Sequence, residues 1–269
     1  MPTPYLEPPL RETFDAWIEA GVERYSPPLE FSEIRRGAQA LSALYVERRP
    51  AGEIAARSVR GRGKRAALAT YFAPLHFLTV HHALAALDCE RAAPIRRVFD
   101  LGCGSGATGA AIATALPTAP GIVALDVSGW ALGEAEATCA AFGLHCSRRR
   151  GTLPRGFPRA GPDDWIALGW VVNELEEGAR NSLLVRLRRA LEAGARLLLA
   201  EPLSERASPW WAEWTDALQP LGAVEEQFRV EIERPEWIES LDRATRLDHR
   251  SIGARLLFAS GTGARRRRR

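Results

Sequence analysis

The sequence has little of what would place it outside an ordinary globular class. Only four cysteines occur, Cys89, Cys103, Cys139 and Cys146, at irregular spacings and without a C-x-x-C pair. That pattern argues against a zinc frame, an iron–sulfur frame or a disulfide set, so buried thiols and no metal site are expected. Long hydrophobic runs are missing too: no stretch approaches the roughly 18 apolar residues of a membrane span. The N-terminal MPTPYLEPPLRETFD is rich in proline and acid and lacks the basic-then-apolar order of a secretion signal. A cytoplasmic protein without a membrane partner is the expectation. Lysine is nearly absent, Lys64 standing alone among 36 basic residues. Such a bias fits a GC-rich coding sequence, so abundant arginine does not by itself argue for nucleic acid. The formal net charge is +3, yet residues 265–269 hold five arginines, so the preceding part sums to −2. No internal repeat is visible, low complexity is confined to those terminal arginines, and nothing signals an oligomer.

What is present is a core-forming sequence, 46% hydrophobic and 26% charged, enough to fold without staples. Residues 1–94 read as a helical extension. Helices are expected over 10–20, 32–48 and 64–87, the last kinked near Pro74. From residue 97 short apolar runs alternate with alanine- and leucine-rich helices. Strands are expected at 98–101, 122–126, 144–149 (weak), 165–171, 196–200, 224–232 and 255–260. Helices are expected near 108–116, 130–142, 176–192, 209–218 and 235–247. Alternation of this kind implies a parallel sheet covered on both faces. The domain reading is therefore a helical extension over 1–94, an α/β domain over 95–264 and a basic tail over 265–269.

The segment VFDLGCGSGATGAA is the most informative in the chain. A strand ends at Asp100 and Leu101, the turn Gly102–Cys103–Gly104–Ser105–Gly106 follows, and an alanine-rich helix begins. Glycines let a backbone turn sharply and approach a ligand that a Cβ would exclude. The helix N-terminus offers it unpaired N–H groups. Gly104, Gly106 and Gly109 also satisfy G-x-G-x-x-G, the dinucleotide fingerprint, so NAD has to be weighed. Asp100 tips the balance. A carboxylate beside the turn would repel a pyrophosphate but could help satisfy the ammonium of a methionyl group. The reading is S-adenosylmethionine (SAM) on a Rossmann-like class I methyltransferase fold with a largely parallel seven-stranded sheet.

Asp126 ends the next strand, where an acid can accept hydrogen bonds from both ribose hydroxyls, with Val127 packing beside the adenine. Its competing role, helix capping, suits Ser128 better. At the third strand end an acid often meets the adenine amino group; Arg150, Gly151 and Thr152 stand there instead, and a backbone contact or Thr152 is expected to substitute. The fourth strand runs into GWVVNELEE. Ligands sit at the carboxyl ends of strands in such sheets, which puts Trp170 beside the cofactor and makes Asn173 and Glu174 candidates to orient an acceptor. Asn173 could equally cap the helix that follows. The N-P-P-Y arrangement of many amino-methylating enzymes is absent. Methyl transfer from a sulfonium needs mainly proximity and in-line alignment, so a dedicated base is not required.

V-F-D-L-G-C-G-S-G, then V-V-N-E-L, then L-L-L-A-E-P, preceded by ATYFAPLHFLTVHHAL, resembles the small-subunit ribosomal methyltransferase-like family over about residues 65–205. The resemblance implies action on, or binding to, small-subunit ribosomal RNA. E-P-L-S-E-R replaces the glycine and threonine usual after that E-P, and the cysteine cluster of many relatives is missing, so no iron–sulfur cluster is expected. Basic segments at 57–65 and 148–159, with the terminal arginines, could contact phosphates. Trp210, Trp211 and Trp214 could stack on bases, but their spacing fits a buried helix face. Three readings remain open: an RNA methyltransferase, an enzyme for a small molecule or protein whose helical extension closes a pocket, and a non-catalytic SAM-binding assembly factor.

Overall fold

A computed structural model describes residues 2–46, 60–87 and 94–261. Cys89, Arg57 and the terminal arginines lie outside them. Seven strands form one sheet: β1 (Arg97–Leu101), β2 (Gly121–Asp126), β3 (Cys146–Arg150), β4 (Asp164–Gly169), β5 (Arg196–Glu201), β6 (Ala223–Glu231) and β7 (Ser251–Ala259), in the order β3-β2-β1-β4-β5-β7-β6. The first five are parallel, and β7 runs antiparallel to both β5 and β6. Strand order reverses between β1 and β4, and that crevice is where ligands of open α/β sheets bind.

Burial explains which strands were easy to read. Every residue of β5 is buried, as are the first five of β4, giving the apolar runs of a sheet covered on both faces. CSRRR of β3 is an exposed edge strand and carries almost no apolar signal. The fourth strand is shorter than expected. It stops at Gly169, and the apolar Trp170, Val171 and Val172 belong to the loop, where Val171 and Val172 are buried.

The crossover helices are α5 (Ala107–Ala115), α6 (Gly129–Ala141), α7 (Glu177–Glu192) and α8 (Trp211–Leu218), with α9 (Glu236–Thr245) joining β6 to β7. Ser128 caps α6, its Oγ accepting the Ala131 N–H at 3.3 Å. Trp210, Trp211 and Trp214 are 7%, 2% and 0% exposed, which settles them as core.

The N-terminal helices are α1 (Leu10–Tyr25), α2 (Phe31–Val46), α3 (Arg62–Ala67) and α4 (Ala73–Ala86). Between α3 and α4 the chain makes a π-helical turn, Leu68–Phe72. The disruption expected near Pro74 falls in this turn just ahead of it rather than as a kink. Phe14 and Trp17 of α1 pack on Phe77 of α4, and Phe77 stacks on Phe142 after α6 at 4.8 Å. These helices share one core with a face of the sheet. Helices α2 and α3 touch through glycine: a Cβ on Gly37 would lie 2.1 Å from the Gly63 carbonyl oxygen. Among the described residues no helix is long and apolar enough to cross a membrane.

Candidate cofactor and acceptor cavity

A cavity of about 580 Å³ opens at the carboxyl ends of β1, β2 and β4, within the range of small-ligand sites. Its floor is the glycine turn. The N–H groups of Gly102 and Cys103 both donate to the Leu125 carbonyl, at 2.8 and 3.0 Å, pinning the turn to β2. Gly102 and Gly104 have φ of +69° and +51°. A Cβ on Gly102 would sit 2.2 Å from Val171 Cγ2, whereas one on Gly104 would meet nothing within 4 Å. Gly102 therefore serves packing, and Gly104 leaves a cradle open to the cavity. Gly102→Ala should cost at least about 1–2 kcal/mol for the left-handed backbone alone, read as a lower urea midpoint; an unchanged midpoint would contradict this geometry.

Asp100 and Leu101 lie beneath that floor rather than on it. Asp100 is 1% exposed, and its Oδ2 accepts the Gly109 N–H at 3.0 Å. Burial raises its pKa to about 7. Contrary to the expectation from sequence, Asp100 presents no carboxylate to the ligand: it ties the turn to α5, with no room for a Cβ at Gly109.

Asp126 lines the cavity and is fixed from two sides, Oδ2 accepting the Gly104 N–H at 3.0 Å and Oδ1 the Ser128 N–H at 2.8 Å. Val127 also lines it and is 49% exposed, an apolar side chain left open where a ligand would cover it. Gly104, Cys103 and Trp170 line the cavity too, and Gly106 closes the turn just behind. Thr152 does not face it. Its neighbours Gly151 and Leu153 do, with Arg150, whose Nε donates to the Val127 carbonyl at 3.2 Å.

The loop after β4 is held by a buried acid. Glu201 Oε1 accepts the Val172 and Asn173 N–H groups at 2.8 and 3.3 Å, and Oε2 accepts Asn173 Nδ2 at 2.8 Å. Asn173 Oδ1 accepts from Ser208 Oγ at 3.1 Å and Trp210 Nε1 at 2.8 Å. Both ends of the Asn173 amide are thus spent inside the protein, and it is not among the residues lining the cavity. Neither expected role fits this placement: it does not face an acceptor, and α7 begins only at Glu177. Glu174, the next residue, does line the cavity. Burial, and secondarily the charge of Asp126, raise its pKa to about 8.

Trp170 adopts φ +54°, rare for a side chain of its size. Its N–H donates to the Ala200 carbonyl at 2.8 Å, and its indole stacks on His76 at 3.8 Å with 7° between the planes. His76, Leu68 and Arg65 reach the cavity from the N-terminal helices. The sequence offered Arg65 only as part of a basic segment that could contact phosphates, and it did not single out Leu68 or His76. The available signal was an ionisable residue, His76, inside the largely apolar APLHFLTV. Burial, and next the charge of His249, depress its pKa to about 3, so it is neutral at physiological pH.

The raised carboxyls set a stability profile. Asp100 near pH 7, and Glu174 and Glu201 near pH 8, hold protons in the folded state that the unfolded chain has already released. The unfolding free energy should therefore fall as pH rises from about 6.5 to 8.5. Below about 6.5 the depressed His76, His81 and His82 act in the opposite sense. Urea titrations across this window check it; a flat or rising limb above pH 6.5 would refute the burial of these acids.

Among the described residues no group of three or more His, Cys, Asp and Glu is placed to hold a metal ion. Residues 65–209 match the model of the O-methyltransferase domain family. No curated protein matches the chain. Similar solved structures include the pyocyanin biosynthetic protein PhzM (22% identity, 78% of this chain and 62% of that one, TM-score 0.46). Another is the N-methyltransferase NodS from Bradyrhizobium japonicum, in complex with S-adenosylhomocysteine (16% identity, 82% and 98%, TM-score 0.44). A third is precorrin-6y C5,15-methyltransferase from Geobacter metallireducens (14% identity, 75% and 92%, TM-score 0.45).

Proposed function

Because the chain belongs to the O-methyltransferase domain family and takes SAM as its cofactor, we propose that it methylates an oxygen of a small planar acceptor admitted beneath the N-terminal helices. One observation carries this reading: Arg65, Leu68 and His76 line the same cavity as the glycine turn and Asp126. The helical extension is then a roof over the acceptor.

The residues present suit the cofactor. Gly104 leaves an open cradle, Asp126 presents an acid already oriented by two N–H groups, and Val127 offers uncovered apolar surface. In this reading Asp126 holds the ribose, Val127 and Leu153 the base, and the Cys103–Ser105 backbone the amino-acid end. When bound, SAM supplies a methyl group on a sulfonium, for which an in-line nucleophile is the main need. Trp170 and His76 form a flat wall that orients a planar acceptor. Glu174, raised toward neutral pH, takes the proton of the acceptor hydroxyl as a general base.

Small-subunit ribosomal RNA is the second reading. It is favoured by the exposed Arg148 and Arg149, which precede Arg150 on β3, where Arg150 meets the cavity. Labelled methyl transfer from SAM separates the two. Label in hydroxylated aromatic acceptors and none in small-subunit RNA is the expected result; label in RNA alone would replace the first reading with the second. Asp126→Ala should weaken S-adenosylhomocysteine binding by about 1–3 kcal/mol, the cost of losing charged hydrogen bonds, as measured by calorimetry. An unchanged affinity would move the ribose contact elsewhere.

A further inference from the structure

We propose that Cys139 and Cys146 form a dithiol that hydroperoxides oxidise: Cys146 takes the oxygen, and Cys139 resolves it into an intramolecular disulfide between α6 and β3.

Residues three apart share a helix face, and residues two apart share a strand face. Glu136 and Cys139 are such a pair on α6, and Cys146 and Arg148 are such a pair on β3. The two faces meet twice. Arg148 Nη1 pairs with Glu136 Oε2 at 2.9 Å, and the Cys139 thiol donates a hydrogen bond to the Cys146 sulfur. The turn between them is short and pinned. The Leu144 N–H donates to the Cys139 carbonyl at 2.8 Å, and the His145 carbonyl accepts the Ile122 N–H at 2.8 Å. Cys139 lies within the larger apolar cluster, and Cys146 packs against it.

The two thiols are unequal. Cys139 is fully buried, whereas Cys146 is partly exposed, between the exposed His145 and Ser147 on the edge of the sheet. The hydrogen bond from Cys139 holds the Cys146 thiol below the usual range, and the same bond, with burial, holds Cys139 above it. The thiolate is the nucleophile, so Cys146 reacts first. Its sulfur attacks a peroxide oxygen, the O–O bond breaks, and the departing oxygen takes up a proton to leave as alcohol or water. Cys146 is then a sulfenic acid. The Cys139 sulfur attacks it: the S–S bond forms, the S–O bond breaks, and the hydroxyl leaves as water with the Cys139 proton. The two sulfurs give up two electrons and the peroxide gains them. Cys103 does not compete. It is 7% exposed, burial raises its pKa well above the thiol range, and its thiol is engaged by the Gly104 carbonyl at 3.6 Å. The α6 N-terminus brings Ser128 and Trp130 to the cavity and β3 ends there at Arg150, so the bond ties together two walls of that site.

Hydrogen peroxide added to the folded, fully reduced protein tests this. After the peroxide is quenched, free thiols are alkylated in denaturant. Trypsin with glutamyl endopeptidase then releases residues 137–148, which hold both thiols without Cys89 or Cys103. Mass spectrometry should find this peptide unalkylated and short of two hydrogens, and dithiothreitol should restore two alkylatable thiols. Cys139→Ser should instead leave Cys146 as a sulfenic acid that dimedone traps, and Cys146→Ser should leave Cys139 unoxidised. Circular dichroism checks that both variants fold; if either does not, the parent's peptide decides alone. Two alkylated thiols in the treated parent, or a bond from Cys146 to Cys103 or Cys89, would overturn the proposal. So would a parent whose Cys146 is trapped by dimedone as fully as in Cys139→Ser.

Discussion

Glu174→Gln should lower kcat by about 100-fold or more, the usual contribution of a general base, while the affinity for S-adenosylhomocysteine stays within error of the parent. Glutamine keeps the shape and the hydrogen-bonding reach but cannot take a proton. The carboxyl lines the cavity next to a loop that is otherwise fully engaged, and no hydrogen bond from its own side chain occurs among the described residues. Its pKa near 8 fixes the pH dependence. The group works only when ionised, so kcat should rise with pH and level off above about 8. Glu174→Gln should abolish that limb as well as the rate. If the variant retains both full turnover and the parental profile, proximity alone drives transfer and Glu174 is not the base.

The second large effect is on stability. Asn173→Ala should cost about 2–5 kcal/mol, because at least two buried partners lose their hydrogen bonds and each unsatisfied group costs about 1–3 kcal/mol. Trp210 Nε1 and Glu201 Oε2 are the groups left behind. Turnover per folded molecule should fall less than stability does, since Asn173 reaches the chemistry only by holding the loop that carries Trp170 and Glu174. Urea denaturation together with activity corrected for folded fraction measures both. Unchanged stability with lost turnover would mean that the side chain leaves its partners to act in the cavity.

The parts of this site legible in the sequence were those built from neighbours in the chain. The glycine turn, Asp126, Val127 and the Ser128 cap all lie within a few residues of a strand end, and local chemistry was enough to place the first three at the cavity and the last at the start of a helix. Asn173 was misread because its partners Glu201, Ser208 and Trp210 are 28–37 residues away, and nothing near Asn173 announces a buried network. Asp100 was placed at the correct strand end but on the wrong side of the backbone. Its direction is set by the close approach of Gly109 from the next helix. The fourth strand was read as too long because Val171 and Val172 are buried in the loop, so the apolar signal outlasts the strand. The roof was invisible for a different reason: Arg65, Leu68 and His76 meet the cavity only through the packing of α1, α2 and α4 on the sheet.

That packing is also the point at which the functional reading is most exposed to experiment. Amide hydrogen exchange with and without S-adenosylhomocysteine tests whether turn, second strand end and roof form one ligand site. Slower exchange should appear together at residues 102–106, at 126–131 and across the roof at 65–76, with NAD producing none of it. Protection confined to the turn and strand end, with the roof unaffected, would contradict a roofed cavity and return the acceptor to an open surface.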